Sequence, residues 1–523
     1  MKTGYLKNAA LMTAADIVLR LAGMGLRIYL ANALGGEGMG LYQLVLAVYA
    51  LFVTLATAGV SVAATRLMAE ELGRSRAEAR GMLVRLLAVA SALGAGAMAA
   101  QAGLAGLAAR WWLGDVRAAS ALRAGAFGMP WMALSAVLRG YFIARRRVGP
   151  NVVSQLVEQT VRICLVYGLL EGGAALDVGA QCARVLAATA ASEAVSAAIL
   201  LAFCRRDTAR CFGGVRAQTP QDPARRLWEI LWPVEGGRVL ASALHTAENM
   251  LVPACLAVSL ADAGGRTAAV AEYGSLKGMA LPLLTFPFGL LGTLSVLLIP
   301  EITQAHLRGE QSRLAALLDR MLRLTGYFSA LCGAVFCIWG GPVALALYDD
   351  ANAGFYLCVL GPAMPLVYLE SMIDGAMKGL GEQKATFRYS VWDSALRIAG
   401  VIVLLPRFGM MGFLFVILLS SAYTCAANLG RLLYVSGLAP AVWGWLGAPA
   451  LAAGLAAVVG LAVRRLCAPL LAGGPAAMLL AVGIGGTAMT AAFVAAAWPL
   501  GLGRELRAAL ARPVGQEKGV KSQ

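Results

Sequence analysis

Charged residues are scarce in this chain, and histidines are almost absent. Only 14% of the 523 residues are charged, two are histidines, and 59% are hydrophobic. The mean hydropathy is +0.72. A soluble protein of this length needs far more polar surface than this composition provides. The composition therefore excludes a soluble globular protein, and no stretch indicates an independent soluble domain.

Several chemical signatures are missing as well. The ten cysteines include no pair with CxxC spacing, so the sequence predicts neither a metal site nor a disulfide framework. The glycine-rich stretch GGEGMG at 35–40 lacks the Lys-Ser/Thr pair that completes a phosphate-binding loop. The predicted outer loops are short and carry no paired catalytic carboxylates, which disfavours a membrane-bound glycan ligase or transferase. We therefore expect a protein that is not an enzyme and needs no cofactor.

Apolar runs long enough to cross a bilayer are what the sequence does contain, from one end to the other. A membrane-spanning helix needs about 20 residues, and short charged or Gly/Pro-containing segments separate the runs. We predict an all-α, polytopic membrane protein with about fourteen transmembrane helices. The predicted limits are 10–33, 41–68, 81–104, 120–143, 150–171, 177–204, 228–260, 270–303, 313–339, 354–377, 384–405, 408–435, 441–464 and 472–500.

The net charge of +16 is concentrated in alternate loops. Basic residues are dense at 145–147, 205–226 and 504–521, whereas the loops at 171–177 and 260–265 contain few. The positive-inside rule then predicts a protein of the cell membrane with both termini in the cytoplasm. The same charges would attract anionic membrane lipids. Nucleic-acid binding is not expected, because no basic domain exists to carry it.

The chain contains a weak internal repeat. The segment that begins at Glu37 aligns without gaps with the segment that begins at Glu272, an offset of 235 residues. The same offset pairs 155–163 with 390–398. A repeated six-span unit is of the parallel kind, and transporters built in this way place the substrate site between their halves. The predicted organisation is an N-terminal six-helix lobe (1–204), a cytoplasmic basic linker (205–227), a C-terminal six-helix lobe (228–437), transmembrane helices 13 and 14 (438–500) and a cytoplasmic basic tail (501–523).

The first predicted span carries one carboxylate and two guanidinium groups. Asp16, Arg20 and Arg27 fall within about 40° of each other on one helix face. One charge at mid-bilayer costs about 2.5–3.5 kcal/mol on insertion scales, so this face should point into the bundle or into a water-filled cavity. Asp16 and Arg20 have the i,i+4 spacing of an ion pair. Arg27 has no acidic partner on its face and is the residue best placed to meet an anion.

Two more acid–arginine pairs occupy matching places in the repeat. Glu158 and Arg162 are spaced i,i+4, and so are Asp393 and Arg397, 235 residues further on. Such pairs could line a cavity whose arginines are held in place by local carboxylates. The alternative is that each pair only neutralises itself and helps the helices to pack.

The predicted seventh span is the second-half counterpart of the first. Its Glu235 and Arg238 are spaced i,i+3, and Asn249 lies on about the same side with His245 at its edge. The candidate substrate-binding residues are thus Arg20, Arg27, Arg162, Arg238 and Arg397, and the supporting or ion-coupling candidates are Asp16, Glu158, Glu235, His245, Asn249 and Asp393.

Arg66 and Glu301 occupy matching places near the cytoplasmic ends of their spans. Each is a candidate gate residue. The competing interpretation is that each side chain extends to the lipid headgroups.

The stretch RLAGMGLRIYLANALGGEGMGLYQ at 20–43 resembles the stage V sporulation protein B family, and VSVAATRLMAEEL at 60–72 supports the resemblance. These are polysaccharide-biosynthesis/export-type members of the multidrug/oligosaccharidyl-lipid/polysaccharide exporter superfamily. The superfamily also contains the lipid II flippase and the sodium- or proton-driven drug exporters.

The resemblance implies two six-helix lobes around a central cavity that opens alternately to each side. It implies a flippase that moves an undecaprenyl-pyrophosphate-linked saccharide, such as lipid II, from the inner to the outer leaflet during spore cortex synthesis. Related flippases hold the pyrophosphate with first-span arginines, which correspond to Arg20 and Arg27. Helices 13 and 14 would form a groove for the lipid tail. We expect a monomer, driven by the membrane potential or by coupling to H+ or Na+.

Two alternatives remain at this point. A cation-coupled multidrug antiporter of the same architecture would need an acidic cavity, whereas the charged pairs here are balanced or basic. A non-transporting scaffold that recruits cell-wall synthases is compatible with the sequence.

Overall fold

The computed structural model describes residues 2–171, 177–213, 218 and 222–505, and these residues contain helices but no strand. The description does not extend to the side chains of 2–12, 58, 223–224, 232–235, 263, 290 and 293–297. Most of the predicted basic tail therefore lies outside the described residues.

Seventeen α-helices follow one another along the described chain. They are α1 (Lys2–Arg74), α2 (Arg76–Leu107), α3 (Ala118–Ala126), α4 (Met129–Ala144), α5 (Gly149–Glu171), α6 (Val178–Cys211), α7 (Pro223–Ser259), α8 (Gly265–Tyr273), α9 (Leu281–Thr285), α10 (Phe288–Leu307), α11 (Gln311–Tyr348), α12 (Ala351–Leu360), α13 (Met364–Gly379), α14 (Gln383–Ser436), α15 (Ala448–Leu466), α16 (Ala468–Leu471) and α17 (Pro475–Ala497).

Nine helices in the described part of the chain are long and apolar enough to cross a membrane, or ten if the bent pair α3–α4 is counted as one span. Two of the nine, Thr13–Arg74 within α1 and the whole of α14, contain 62 and 54 residues, which is nearly three times the length of about 20 residues that a bilayer of about 30 Å requires. Each of these two helices is broken at a glycine with positive φ: Gly35 (φ 66°) in α1 and Gly409 (φ 57°) in α14. The multi-pass, all-helical prediction is confirmed, and the count of fourteen stays a prediction.

The breaks fall close to two predicted span boundaries. Gly35 lies in the predicted turn between the first and second spans. Gly409 lies one residue after the start that was predicted for the twelfth span, so that boundary was placed slightly too early. A left-handed backbone is favourable for glycine, and this explains why both helices bend at this residue type.

The chain divides into two compact units. The first comprises Met1–Met279 and Ser394–Phe413, and the second comprises Ala280–Asp393 and Leu414–Gln523. These units do not coincide with the predicted lobes, because α7 and α8 belong to the first unit. The lobes as bodies that move during transport remain a prediction.

Close backbone contacts explain why α8 belongs to the first unit. A Cβ atom added to Gly40 of α1 would overlap the carbonyl oxygen of Val270 in α8. A Cβ atom on Gly274, directly after α8, would overlap the carbonyl oxygen of Gly36. Glycines let membrane helices approach to this distance, and the contact then gains van der Waals energy.

The second unit packs α15 and α17 against α11. Ala452, Ala456 and Phe493 form a buried cluster with Tyr327 of α11. The Tyr327 hydroxyl donates a hydrogen bond to the carbonyl oxygen of Leu500 at 2.8 Å. Small residues at these positions keep the helices close, as the alanine-rich sequence predicts.

Candidate functional site

The arginines of α1 have no polar partner in the described part of the chain. Arg20 is exposed and Arg27 is half-buried. Neither guanidinium group forms an ion pair or a hydrogen bond with a described residue. The ion pair expected between Asp16 and Arg20 is not formed among these residues, and Asp16 is exposed. Both cations are therefore available to an anion.

The same face of α1 points towards α5 within the first unit. A Cβ atom on Gly23, which shares the face with Arg27, would lie 3.9 Å from Nε2 of Gln159. Gln159 in turn accepts a hydrogen bond from Arg162 at 3.3 Å. Arg27 and Arg162 both act electrostatically on the Tyr42 hydroxyl. The part of this face around Gly23 therefore lies beside α5, whereas Asp16 and Arg20 are exposed, and the role of the face in lining a cavity stays a prediction.

Four charged side chains, here termed the α5 cluster, meet beside this face: Arg139 of α4, Glu158 and Arg162 of α5, and Glu193 of α6. The guanidinium NH2 of Arg162 contacts Oε1 of Glu158 at 2.6 Å and Oε1 of Glu193 at 3.2 Å. Arg139 contacts the other oxygen of Glu158 at 2.8 Å. The predicted Glu158–Arg162 pair is present, but it is part of a larger, charge-balanced group.

Sequence reasoning missed two members of the α5 cluster, Arg139 and Glu193. Glu193 is the one acidic residue between 178 and 204, and it is isolated in an apolar helix. An isolated charge in a membrane span is itself a signal of function. The search for acid–arginine pairs within one helix could not find it, because its partner lies on α5.

A second group, here termed the α7 cluster, consists of His245 and Glu248 of α7, Lys277 and Arg397 of α14. Arg397 NH2 lies 2.5 Å from Oε1 of Glu248. Nδ1 of His245 lies 3.9 Å from the other carboxylate oxygen, and Lys277 acts on Glu248 electrostatically. Only 4% of the Glu248 side chain is exposed. One buried carboxylate therefore faces two cations, and the cluster has a surplus positive charge when His245 is neutral.

The α7 cluster corrects the prediction for Arg397. The carboxylate that holds Arg397 is Glu248 of α7, whereas the sequence predicted the local Asp393. The Oδ1 atom of Asp393 instead accepts a hydrogen bond from the Ser420 hydroxyl at 2.5 Å. The sequence predicted an i,i+4 pair from spacing alone, and packing against α7 supplied a different partner.

Lys277 was also missed, and its setting is unusual. It lies at the middle of a π-helical segment, Gly274–Ala280, which follows the close contact of Gly274 with α1. It has no ion pair or hydrogen bond with any residue that the structure describes. Short π-helical stretches are frequent at functional sites. A lysine inside a predicted membrane span was a signal available in the sequence.

The remaining candidates of the seventh span are not gathered into one site. The Glu235 side chain lies outside the described residues. Arg238 is exposed, and Asn249 is buried with no hydrogen-bond partner for its Oδ1 atom in the described part of the chain. The substrate-binding role of Arg238 stays a prediction.

The two gate candidates have simple surroundings. Arg66 is 68% exposed and pairs with Glu70, one turn further along α1, at 3.0 Å. Glu301 is exposed on α10. Their role as gates stays a prediction. Among the described residues, no group of three or more His, Cys, Asp or Glu side chains could hold a metal ion.

Outside the spans, Arg117 ties the turn after α2 to the broken helix α1. It contacts Glu37 at 2.7 Å and Asp115 at 2.8 Å. Burial disfavours the ionised form of Asp115, but hydrogen bonds from the Arg117 side chain and backbone outweigh it and hold the pKa of Asp115 below its ordinary value. Glu37, in the middle of GGEGMG, therefore has a structural partner.

Comparison with known proteins gives three kinds of match. Residues 5–305 match the model of the family described as "Polysaccharide biosynthesis protein". The chain is 27% identical over 421 residues to stage V sporulation protein B of Bacillus subtilis (strain 168), covering 79% of this chain and 80% of that protein. It is 21% identical over 407 residues to sporulation protein YkvU of the same organism, covering 76% of this chain and 88% of that protein.

Two solved structures are similar at low sequence identity. The lipid II flippase MurJ, in an inward closed conformation, is 12% identical with a TM-score of 0.72, and the match covers 95% of this chain and 100% of MurJ. An inward-facing multidrug resistance MATE family transporter of the MOP superfamily is 15% identical with a TM-score of 0.63, and the match covers 82% of this chain and 98% of the transporter. These likenesses establish the fold.

Proposed function

Because the chain belongs to the polysaccharide biosynthesis protein family, we propose that it is a flippase for a lipid-linked saccharide. The proposed cargo is an undecaprenyl-pyrophosphate-linked peptidoglycan precursor such as lipid II, moved from the inner to the outer leaflet by alternating access during spore cortex synthesis. The names of its relatives, stage V sporulation protein B and the lipid II flippase, support this choice of cargo.

The observation that carries the proposal is the pair of available arginines on α1. The flippase must take a charged, sugar-bearing head across hydrocarbon, so protein groups must replace the water that the phosphates lose. Guanidinium groups present planar sets of donors that match phosphate oxygens. Arg20 and Arg27 share one face and have no polar partner in the described chain, which suits them to the pyrophosphate.

The α7 cluster offers a second contact for an anionic head. Arg397 pairs with the carboxylate of Glu248 and Lys277 acts on the same carboxylate electrostatically, so the described group has one positive charge in surplus. An anion bound beside Lys277 would neutralise that charge. The α5 cluster, in contrast, is balanced and fits a supporting role beside Arg27.

The second unit offers a place for apolar chain. A cavity of about 240 Å³ lies between α11, α13 and α15 and is lined by apolar residues that include Ala330, Leu366 and Pro449. This supports the expectation that the last helices accommodate part of the lipid tail.

We propose that the membrane potential drives transport. We also propose that the protein works as a monomer. A head with about two negative charges that moves outward gains roughly 4–5 kcal/mol per 100 mV from an inside-negative potential. The rival antiporter function shares the fold of the MATE relative, but a cation exporter needs an acidic site. The described clusters are neutral or positive, so they favour an anionic cargo.

The test is a flipping assay in proteoliposomes with fluorescent lipid II, with and without an inside-negative potassium diffusion potential. We expect Arg27→Ala to lower the rate at least tenfold. Arg225→Ala, which removes an arginine that is 78% exposed and pairs only with Glu229 among described acids, should leave the rate unchanged. Full activity of Arg27→Ala would refute the headgroup role, and a rate independent of the potential would remove the driving-force proposal.

A further inference from the structure

Glu193 is the least compensated carboxylate of the α5 cluster. Its one ion-pair contact in the described chain is the 3.2 Å contact with Arg162 NH2, a nitrogen that already lies 2.6 Å from Glu158. Glu158 has a second arginine, Arg139, at 2.8 Å. The Glu193 side chain is only 8% exposed, so water contributes little to its solvation. Two carboxylates thus contact the same guanidinium nitrogen. Glu158 has two arginine contacts, whereas Glu193 has one longer contact.

The other groups around Glu193 do not change this balance. From α5 it faces Arg162 and Glu158, and from α4 it faces Arg139. From α1 the hydroxyl of Tyr49 acts on it, and this neutral group supplies no positive charge. The hydroxyls of Ser192 and Ser196 accept hydrogen bonds from the two arginines and so occupy those donors further.

Like charges that share a buried site are relieved when one of them takes up a proton. We propose that Glu193 is a proton-binding site that controls whether Arg162 is available to an anion. A hydronium ion supplies the proton, an O–H bond forms on the Glu193 carboxylate, and water is released. The cluster then changes from neutral to one positive charge, and Arg162 retains Glu158 but no longer has to neutralise Glu193.

The position of the cluster connects the proton to the cargo. Gln159, which accepts a hydrogen bond from Arg162, lies next to Gly23 on the same side of α1 as Arg27, so the positive charge that the cluster gains lies near the proposed pyrophosphate contact. Proton uptake and anion binding should therefore favour each other, because each adds the charge that the other needs. The link between proton binding and transport rests on the proposed function. The binding of a proton by Glu193 does not depend on that function.

The first experiment is an infrared pH titration of the full-length protein in detergent, which records the carbonyl band of protonated carboxylic acids between about pH 5 and pH 9. We expect a band that titrates in this range in the wild-type protein and in Glu193→Asp, and that is lost in Glu193→Gln. Glu229→Gln, which changes an acid that is 60% exposed, should retain the band. Absence of the band from the wild type, or an unchanged band in Glu193→Gln, would overturn the proposal.

The second experiment measures flipping of fluorescent lipid II in proteoliposomes over the same pH range. The pyrophosphate of this lipid is a diester and does not titrate there, so a pH dependence belongs to the protein. We expect a several-fold change of rate with pH in the wild type and a flat profile in Glu193→Gln. A flat wild-type profile would refute the link between proton and cargo. A wild type that flips nothing would refute the proposed function, and the infrared band would still decide whether Glu193 binds a proton.

Discussion

Arg162 and Arg397 occupy equivalent positions in the two repeats, yet they have different partners. Arg162 contacts Glu158 of its own helix and Glu193 of α6, and Arg139 contacts Glu158 as well. Two carboxylates therefore balance the charges of these two arginines. Arg397 reaches Glu248 of α7, and that one carboxylate also faces Lys277. The repeat preserves the position of the cation, and each half supplies its own counter-charges.

The difference separates a balanced cluster from one with a surplus cation. In the α5 cluster the removal of one group leaves others to compensate. In the α7 cluster, Glu248 is the one carboxylate of the described chain that acts on both Arg397 and Lys277, so its loss removes the ion pair of Arg397 and the attraction that Lys277 experiences. The following substitutions test this contrast, and each effect is measured as the free energy of unfolding in a detergent-denaturation titration.

The largest effect is expected for Glu248→Ala. Removing the carboxylate leaves Arg397 and Lys277 with an unpaired buried charge, which costs about 3–5 kcal/mol. Glu248→Gln, which keeps a hydrogen-bond acceptor for Arg397, should lose less. If Glu248→Ala is as stable as the wild type, the two cations do not depend on this carboxylate.

A smaller loss is expected for Arg162→Met in the balanced cluster. Both Glu158 and Glu193 lose their contact with Arg162, but Glu158 keeps Arg139 at 2.8 Å, whereas Glu193 loses its one ion pair among the described residues. The expected cost is about 1–3 kcal/mol, the range for a buried polar group without its partner. If Arg162→Met lowers the free energy of unfolding as much as Glu248→Ala does, the two clusters do not differ in the way proposed.

The placement of Lys277 can be tested through the close contact that precedes it. In Gly274→Ala the new Cβ atom would meet the Gly36 carbonyl oxygen, so the helices must separate at a cost of about 1–3 kcal/mol. Gly96→Ala in α2 meets no atom within 4 Å and should stabilise its helix by about 0.5–1 kcal/mol. If both substitutions change the free energy of unfolding in the same direction, the close contact at Gly274 is contradicted.

The smallest effect is the coupling between Asp393→Asn and Arg397, at most about 0.5 kcal/mol. The new amide can still accept the Ser420 hydrogen bond, and Arg397 keeps Glu248. A double-mutant cycle with Arg397→Met should give a larger coupling energy for Glu248→Gln than for Asp393→Asn. If the coupling energy is larger for Asp393→Asn than for Glu248→Gln, Arg397 interacts mainly with Asp393, as the sequence predicted.

Much of the fold could be predicted because it depends on local properties. Apolar length predicted the multi-pass helices, and the gap between the first two predicted spans contains the observed break at Gly35. The resemblance carried by residues 20–43 is confirmed by the family match over 5–305. The organisation of the helices was harder to predict, because the packing of α8 on α1 depends on backbone contacts between segments that are far apart in sequence.

The candidate site could be predicted only in part, because residue spacing reveals contacts within one helix but not contacts between helices. The i,i+4 spacing correctly gave the contact between Glu158 and Arg162. It gave neither Glu193 nor Glu248, because both reach their arginines from other helices. The same spacing also predicted an ion pair between Asp16 and Arg20, and that pair does not form among the described residues.

The sequence by itself determined that this chain forms apolar helices, that they carry arginines at repeated positions, and which family they belong to. These properties follow from composition and from spacing within one helix, where 3.6 residues per turn fix which side chains share a face. Only the tertiary structure decided which carboxylate meets which arginine, and that Lys277 shares Glu248. Those choices depend on how closely and at what rotation the helices pack, which spacing within one helix does not fix.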